Sequence, residues 1–171
     1  MRGLIVGRFQ PYHSGHHEAV KRILKEVDEL VIVIGSSQNS FELNDPFTAG
    51  ERIEMIHLAL KEDSLMQKCF IVPVDDIQQY GLWASKVISY SPEFDIVYTN
   101  NPIVKQLFER EGIEVKRMIS NKKEIDSTKI RKEMTNGGKW KKQLPKPVIE
   151  FLEELDCSAR MKAIIEQEKK Q

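Results

Sequence analysis

Two short β-branched runs, Leu4-Ile5-Val6 and Leu30-Val31-Ile32-Val33-Ile34, each stop at a glycine. Continuous apolar runs of this length, rather than alternating ones, are what strands covered on both faces require, and such strands belong to parallel sheets. Between them, Ala19, Val20, Ile23, Leu24 and Val27 fall on one face of a helix running from Gly15 to Val27. Strand, helix and strand in this order form a βαβ unit, which commits the chain to an α/β architecture.

The unit recurs along the chain. Thr48-Ala49-Gly50-Glu51 is a capping box that opens a helix with Ile53, Ile56 and Leu60 inward, and Phe70 to Val74 reads as the next strand. A helix over Leu82 to Ile88 leads to a strand at Phe94–Tyr98. Asn101-Pro102 supplies an N-cap and a proline at the first helical position, Gly112 closes that helix, and Ile113 to Met118 makes a fifth strand. The expectation is an α/β fold with an open, doubly wound, mostly parallel sheet, whose ligands lie at the carboxyl ends of the strands near the switch point.

A helix past Thr128 runs to Asn136, Gly137-Gly138 break it, and helical stretches from Val148 to the lysine-rich end follow. The whole, residues 1–171, is expected to be one domain, with a core over 1–136 and a helical extension over 139–171. The extension has no repeats and shows no chemistry of its own; its apolar faces either cover the sheet or meet another subunit.

Charge narrows the partners. Twenty-six Lys and Arg balance twenty-six Asp and Glu, so no global field favours nucleic acid or an anionic membrane. The stretch Lys116 to Lys142 nevertheless holds ten basic residues against Glu124, Asp126 and Glu133, which suits a short local anion. Cys69 and Cys157 stand far apart without metal-ligand spacing, no apolar segment approaches a membrane span, and a reduced, cytoplasmic setting is expected.

Three of the four histidines fall in five residues, His13, His16 and His17, at the first strand-to-helix turn. A glycine-rich phosphate loop would be usual there, yet the turn is neither G-x-G-x-x-G nor G-x-x-x-x-G-K-[ST]. Arg8, His13 and His16 instead surround the helix N-terminus, where unpaired N–H groups and the dipole already favour an anion. Gly15 would let a bound group approach the backbone while both imidazoles face it. The same letters also fit a helix capped by Ser14 with histidines facing solvent, and a zinc pair is a third reading, though helical zinc histidines usually stand four apart.

The string "GRFQPYHSGH", Gly7 to His16, resembles the H-x-G-H signature of the nucleotidyltransferase superfamily, in the form typical of nicotinamide-nucleotide adenylyltransferases. "IDSTKIR", Ile125 to Arg131, is similar to the second signature of that family, I-S-S-T-x-x-R, and "DPFTAGER" and "NNPIV" also resemble its short archaeal members. Two departures stand out: Asp126 replaces the first serine, and Asn44 occupies a position where the family would place a basic residue.

The resemblance implies a Rossmann-like nucleotidyltransferase fold and joining of ATP to nicotinamide mononucleotide, with NAD and pyrophosphate as products. By the same resemblance His13, His16 and Arg131 are catalytic, and Gly7, Arg8, Phe9, Gln10, Gly15, Ser127 and Thr128 hold ATP. Asp76, on the Asp75-Asp76 turn, Trp83 and Asn100 meet the mononucleotide, and Mg²⁺ arrives with ATP without dedicated protein ligands. A homo-oligomer is implied. The alternatives are the same chemistry on nicotinic acid mononucleotide, FMN or phosphopantetheine, or a regulator that binds nucleotide without turnover. His17, on a different side of the helix from His16, is expected at the surface.

Overall fold

A computed structural model describes residues 1–118 and 125–170. Five strands, β1 (Arg2–Gly7), β2 (Glu29–Ile34), β3 (Cys69–Pro73), β4 (Ile96–Tyr98) and β5 (Glu114–Lys116), form one sheet in the order β3-β2-β1-β4-β5. Every pairing is parallel, with Leu4 opposite Val31 on one side and Val97 on the other. The chain therefore winds outward from β1 in both directions, and the order reverses between β1 and β4. The continuous apolar runs are covered on both faces as expected: Leu30 through Ile34 are all fully buried.

Helices α1 (Ser14–Ile23), α2 (Ala49–Glu62), α3 (Trp83–Tyr90) and α4 (Pro102–Arg110) connect successive strands, and α5 (Ser127–Asn136) follows β5. Along each strand alternate residues point to opposite layers. Ile5, Ile32, Ile34, Ile96 and Tyr98 pack in the layer of α1, α2 and α5, whereas Leu4, Val31, Val33 and Val97 pack under α3 and α4. The capping box at Thr48 and Glu51, the Asn101 cap with Pro102 behind it and the left-handed C-cap at Gly137 all form as the sequence predicts.

The extension resolves into α6 (Lys146–Glu154) and α7 (Cys157–Glu168), which pack on α2 and α5. Val148, Leu152, Cys157 and Met161 belong to the same buried cluster as the sheet's inner face, so this segment covers the chain's own core. Several boundaries differ from expectation by a few residues, those of β3, β5 and α3 among them. Helix α1 stops at Ile23, and β4 begins at Ile96, preceded by Asp95, whose backbone N–H donates to the Arg2 carbonyl while its carboxylate accepts the Arg2 N–H. Lys122, Lys123 and Glu124 of the basic stretch lie outside the described residues. No helix among the described residues is long and apolar enough to cross a membrane.

Candidate active site

The turn between β1 and α1 builds a histidine pair. His13, not Ser14, is the N-cap of α1: its Nδ1 accepts the backbone N–H of His16, while the Nδ1 of His16 accepts the backbone N–H of His13, both at 3.3 Å. A neutral imidazole with Nδ1 used as acceptor carries its proton on Nε2. Both rings thus present N–H donors from a stacked pair whose centroids lie 3.5 Å apart.

Burial keeps the pair neutral. Desolvation pushes His13 down to about 4, and desolvation together with the neighbouring His13 holds His16 well below the ordinary histidine range. Phe9 meets His16 edge-on and Tyr12 stacks on it, so the ring is walled by aromatic surface. The glycines expected to bare the backbone have a different first duty. A Cβ at Gly15 would stand 3.1 Å from the His13 ring, and one at Gly7 would stand 2.7 Å from the Phe9 ring.

His17 departs from the surface position expected of it. Its side chain is only 12% exposed, with Nε2 2.9 Å from Asp63 and Nδ1 3.1 Å from the Tyr12 hydroxyl. It ties α1 to the end of α2, and Lys21 joins the same carboxylate.

Three guanidinium groups gather around Asp45. Arg131 is buried, donating to the Gln10 carbonyl at 2.9 Å and, at 3.3 and 3.4 Å, to Asn44 Oδ1 and Thr128 Oγ1. Arg8 is half-exposed and pairs with the buried carboxylate of Asp45 at 3.3 Å. Burial lowers the pKa of Arg131 and of Arg52, and the positive charge of Arg8 lowers both further. Two buried cations further depressed by a third beside the buried carboxylate of Asp45 make a site that favours an added anion.

Arg52 is the functional-region residue that sequence reasoning passed over. It is fully buried and donates to six carbonyls, those of Thr48, Arg8, Gly35, Ser36, Ser37 and Asn39. It thereby fixes the loops after β1 and β2, which carry Arg8 and Asp45. A signal was present: Arg52, Met55, Ile56, Ala59 and Leu60 share one helical face, so a charge sits within the apolar stripe of α2. Tyr12, the floor under His16 and His17, was passed over as well.

The remaining predicted ATP residues divide. Ser127 and Thr128 open α5, and Asp126, the departure from the second signature, is its N-cap, accepting the Thr128 N–H at 2.8 Å. That hydrogen bond holds the Asp126 carboxyl below the usual carboxylate range. Phe9 is in the core at a left-handed φ of 53°, and the Gln10 side chain is spent on both backbone groups of Phe47. Gln10 and Phe9 shape the turn rather than offer free side-chain donors.

A second cleft, of about 520 Å³, opens at the carboxyl ends of β1 and β4, where the strand order reverses. Gly7, Arg8, Ser36, Asp76, Trp83 and Asn101 are among its walls. Asp76 is steadied by Gln38 through two hydrogen bonds, whereas Asp75 turns away to Lys86. Trp83 is core and wall at once: it is 4% exposed, packed between Tyr80 and Phe108, and its buried Nε1–H has no partner among the described residues. Asn100 is exposed and absent from the walls; its neighbour Asn101 takes that place while capping α4. Among the described residues no three His, Cys, Asp or Glu side chains converge at metal-binding distances.

Residues 4–133 match the cytidylyltransferase-like family. The chain is 46% identical to the nicotinamide-nucleotide adenylyltransferase of Archaeoglobus fulgidus, across 96% of this chain and 97% of that one. It is 48% identical to the enzyme of the same name from Picrophilus torridus, across 97% and 98%. Its backbone is similar, with a TM-score of 0.77 at 21% identity, to a bifunctional NMN adenylyltransferase/ADP ribose pyrophosphatase from Francisella tularensis crystallised with AMP and a manganese ion. That match covers 98% of this chain and 54% of the Francisella protein. Histidine pair, second signature and full-length identity agree: the chain belongs to the nicotinamide-nucleotide adenylyltransferases of the cytidylyltransferase-like family.

Proposed function

We propose that the protein transfers the adenylyl group of ATP to nicotinamide mononucleotide, giving NAD and pyrophosphate. A phosphate oxygen of the mononucleotide attacks the α-phosphorus in line, a new P–O bond forms, and the bond from the α-phosphorus to the bridging oxygen of the β-phosphate breaks. The acceptor oxygen is already anionic at neutral pH, so positioning and charge stabilisation suffice without a general base.

The observation that carries this reading is the stacked pair of neutral imidazoles that caps α1, with both Nδ1 atoms engaged by backbone N–H groups so that the Nε2–H groups are the donors. His16 Nε2–H meets an oxygen of the α-phosphate where charge builds, and His13 supports it from the other side. Arg131, with Ser127 and Thr128 at the start of α5, holds the β- and γ-phosphates that leave together. Asp76 offers an acceptor and Trp83 an aromatic wall to the mononucleotide in the β1–β4 cleft. Asn100 is left out of this assignment in favour of Asn101.

Mg²⁺ would arrive with ATP and supply charge neutralisation to the phosphates, alongside the cations Arg8 and Arg131. Self-association is the companion proposal. Its support is the exposed apolar side chains Leu82, Ile88, Tyr90 and Ile103 on and around α3 and α4, and light scattering on the purified protein tests it.

The activity test supplies Mg²⁺-ATP with nicotinamide mononucleotide, nicotinic acid mononucleotide, FMN or phosphopantetheine in turn, following pyrophosphate and product mass. A product of NAD mass is expected. Pyrophosphate with FMN or phosphopantetheine alone would replace the acceptor, and ATP binding without turnover on any acceptor would favour a regulator.

A further inference from the structure

The C-terminal helix has no part in the chemistry above, yet it holds the loop that faces two of its arginines. Arg52 ties down the chain after β2 as far as Asn39, and Gln10 takes it up again at Phe47. Between these anchors, residues 41–45 form a small loop closed by Glu42 and Asp45, whose backbones exchange hydrogen bonds. On its inner side Asn44 accepts from Arg131 at 3.3 Å and Asp45 accepts from Arg8 at 3.3 Å.

On its outer side stands α7. Arg160 lies over the Phe41 ring, 4.8 Å from its centroid, and donates to Glu51 at 2.6 Å. Glu51 is the capping-box carboxylate of α2, so Arg160 is anchored to a rigid helix end. Glu168 accepts the Leu43 N–H at 3.3 Å, and Met161 and Ile165 line a cavity of about 360 Å³ together with Leu43, Asn44 and Arg131. Phe41 itself sits at a left-handed φ of 56° with more than half of its surface exposed, a conformation that neighbours must enforce for a bulky side chain.

Two of the three Arg131 contacts are long, and one of these is to the loop, so the pose of its guanidinium depends on where Asn44 stands. We propose that Arg160 is a positioning residue for the pyrophosphate end of ATP: clamped between Phe41 and Glu51, it holds loop 41–45 so that Asn44 and Asp45 aim Arg131 and Arg8. This rests on the assignment of those two arginines to the phosphates under the proposed function. The acceptor cleft shares only Arg8 with this arrangement, which separates the consequences for the two substrates.

The test measures steady-state kinetics, pyrophosphate inhibition and melting temperature for Arg160→Met, Arg160→Lys and Arg131→Lys. Arg160→Met is expected to raise KM for ATP about five- to tenfold and to weaken pyrophosphate inhibition in parallel, with KM for the mononucleotide within about twofold of wild type. Arg160→Lys keeps the charge but loses the planar stack on Phe41, and is expected to raise KM for ATP about two- to threefold. A merely structural Arg160 would lower the melting temperature and the active fraction while leaving both KM values alone; that result, or an equal rise in both, overturns the proposal. If Arg160→Met does not fold, Arg160→Lys decides, and an unchanged KM for ATP there overturns it. Unimpaired Arg131→Lys would instead overturn the phosphate assignment on which the proposal rests.

Discussion

The Nδ1 atoms of His13 and His16 each accept the backbone N–H of the other residue, at 3.3 Å, so two stacked imidazoles fix one another's tautomer. A capping box ordinarily spends its side chains on the helix end. Here the same geometry leaves two Nε2–H donors without a partner among the described residues.

Replacing His16 by Ala is expected to lower turnover by about 10²–10³ while ATP affinity stays close to wild type, because the donor acts where charge develops in the transition state. Steady-state kinetics paired with ATP titration calorimetry measures the two separately. Near-normal turnover would remove His16 from the mechanism.

The depressed His13 pKa has a stability consequence. The unfolded chain takes up a proton near pH 6.5, whereas the folded chain refuses it until about 4, so stability falls as pH drops through that window. Between pH 7.5 and 5 this group alone is expected to remove about 2 kcal/mol. His13→Asn should lose correspondingly less over the same range in urea unfolding, and an identical loss in both proteins would contradict the burial argument.

Arg52 collects six carbonyls, and Arg52→Met would leave several of them buried and unpaired at about 1–3 kcal/mol each. A loss of at least about 3 kcal/mol, or roughly 6–12 °C in Tm, is expected by calorimetry. Arg52→Lys should recover only part of this, since three donors replace a five-donor fork.

Asp126 places a carboxylate at the N-terminus of α5, the end assigned to the leaving phosphates. Asp126→Ser keeps a competent cap and removes a like charge, so KM for ATP should fall about two- to fivefold with Tm nearly unchanged. An increase in KM would mean that this carboxylate assists the site, for instance through the metal carried with ATP.

The periodicities of the chain were enough for the α/β order, for the strands buried on both faces and for most of the caps, because these depend on residues near one another in sequence. His13, His16 and Arg131 were found by motif, since each belongs to a short string with fixed spacing. What the sequence could not place were residues whose meaning depends on distant partners. His17 read as surface until Asp63 was brought across from α2, the partners of the Gln10 amide are the backbone groups of Phe47, and Asn101 rather than Asn100 lines the β1–β4 cleft.

Local sequence thus determined the elements, their order and the two phosphate motifs, because helix and strand periods, caps and turns are short-range properties. Tertiary structure decided how Arg8 meets the buried carboxylate of Asp45 and how α7 reaches loop 41–45. Those relations join residues 37 to 125 positions apart, and no period within the chain encodes a contact made only after the sheet has closed.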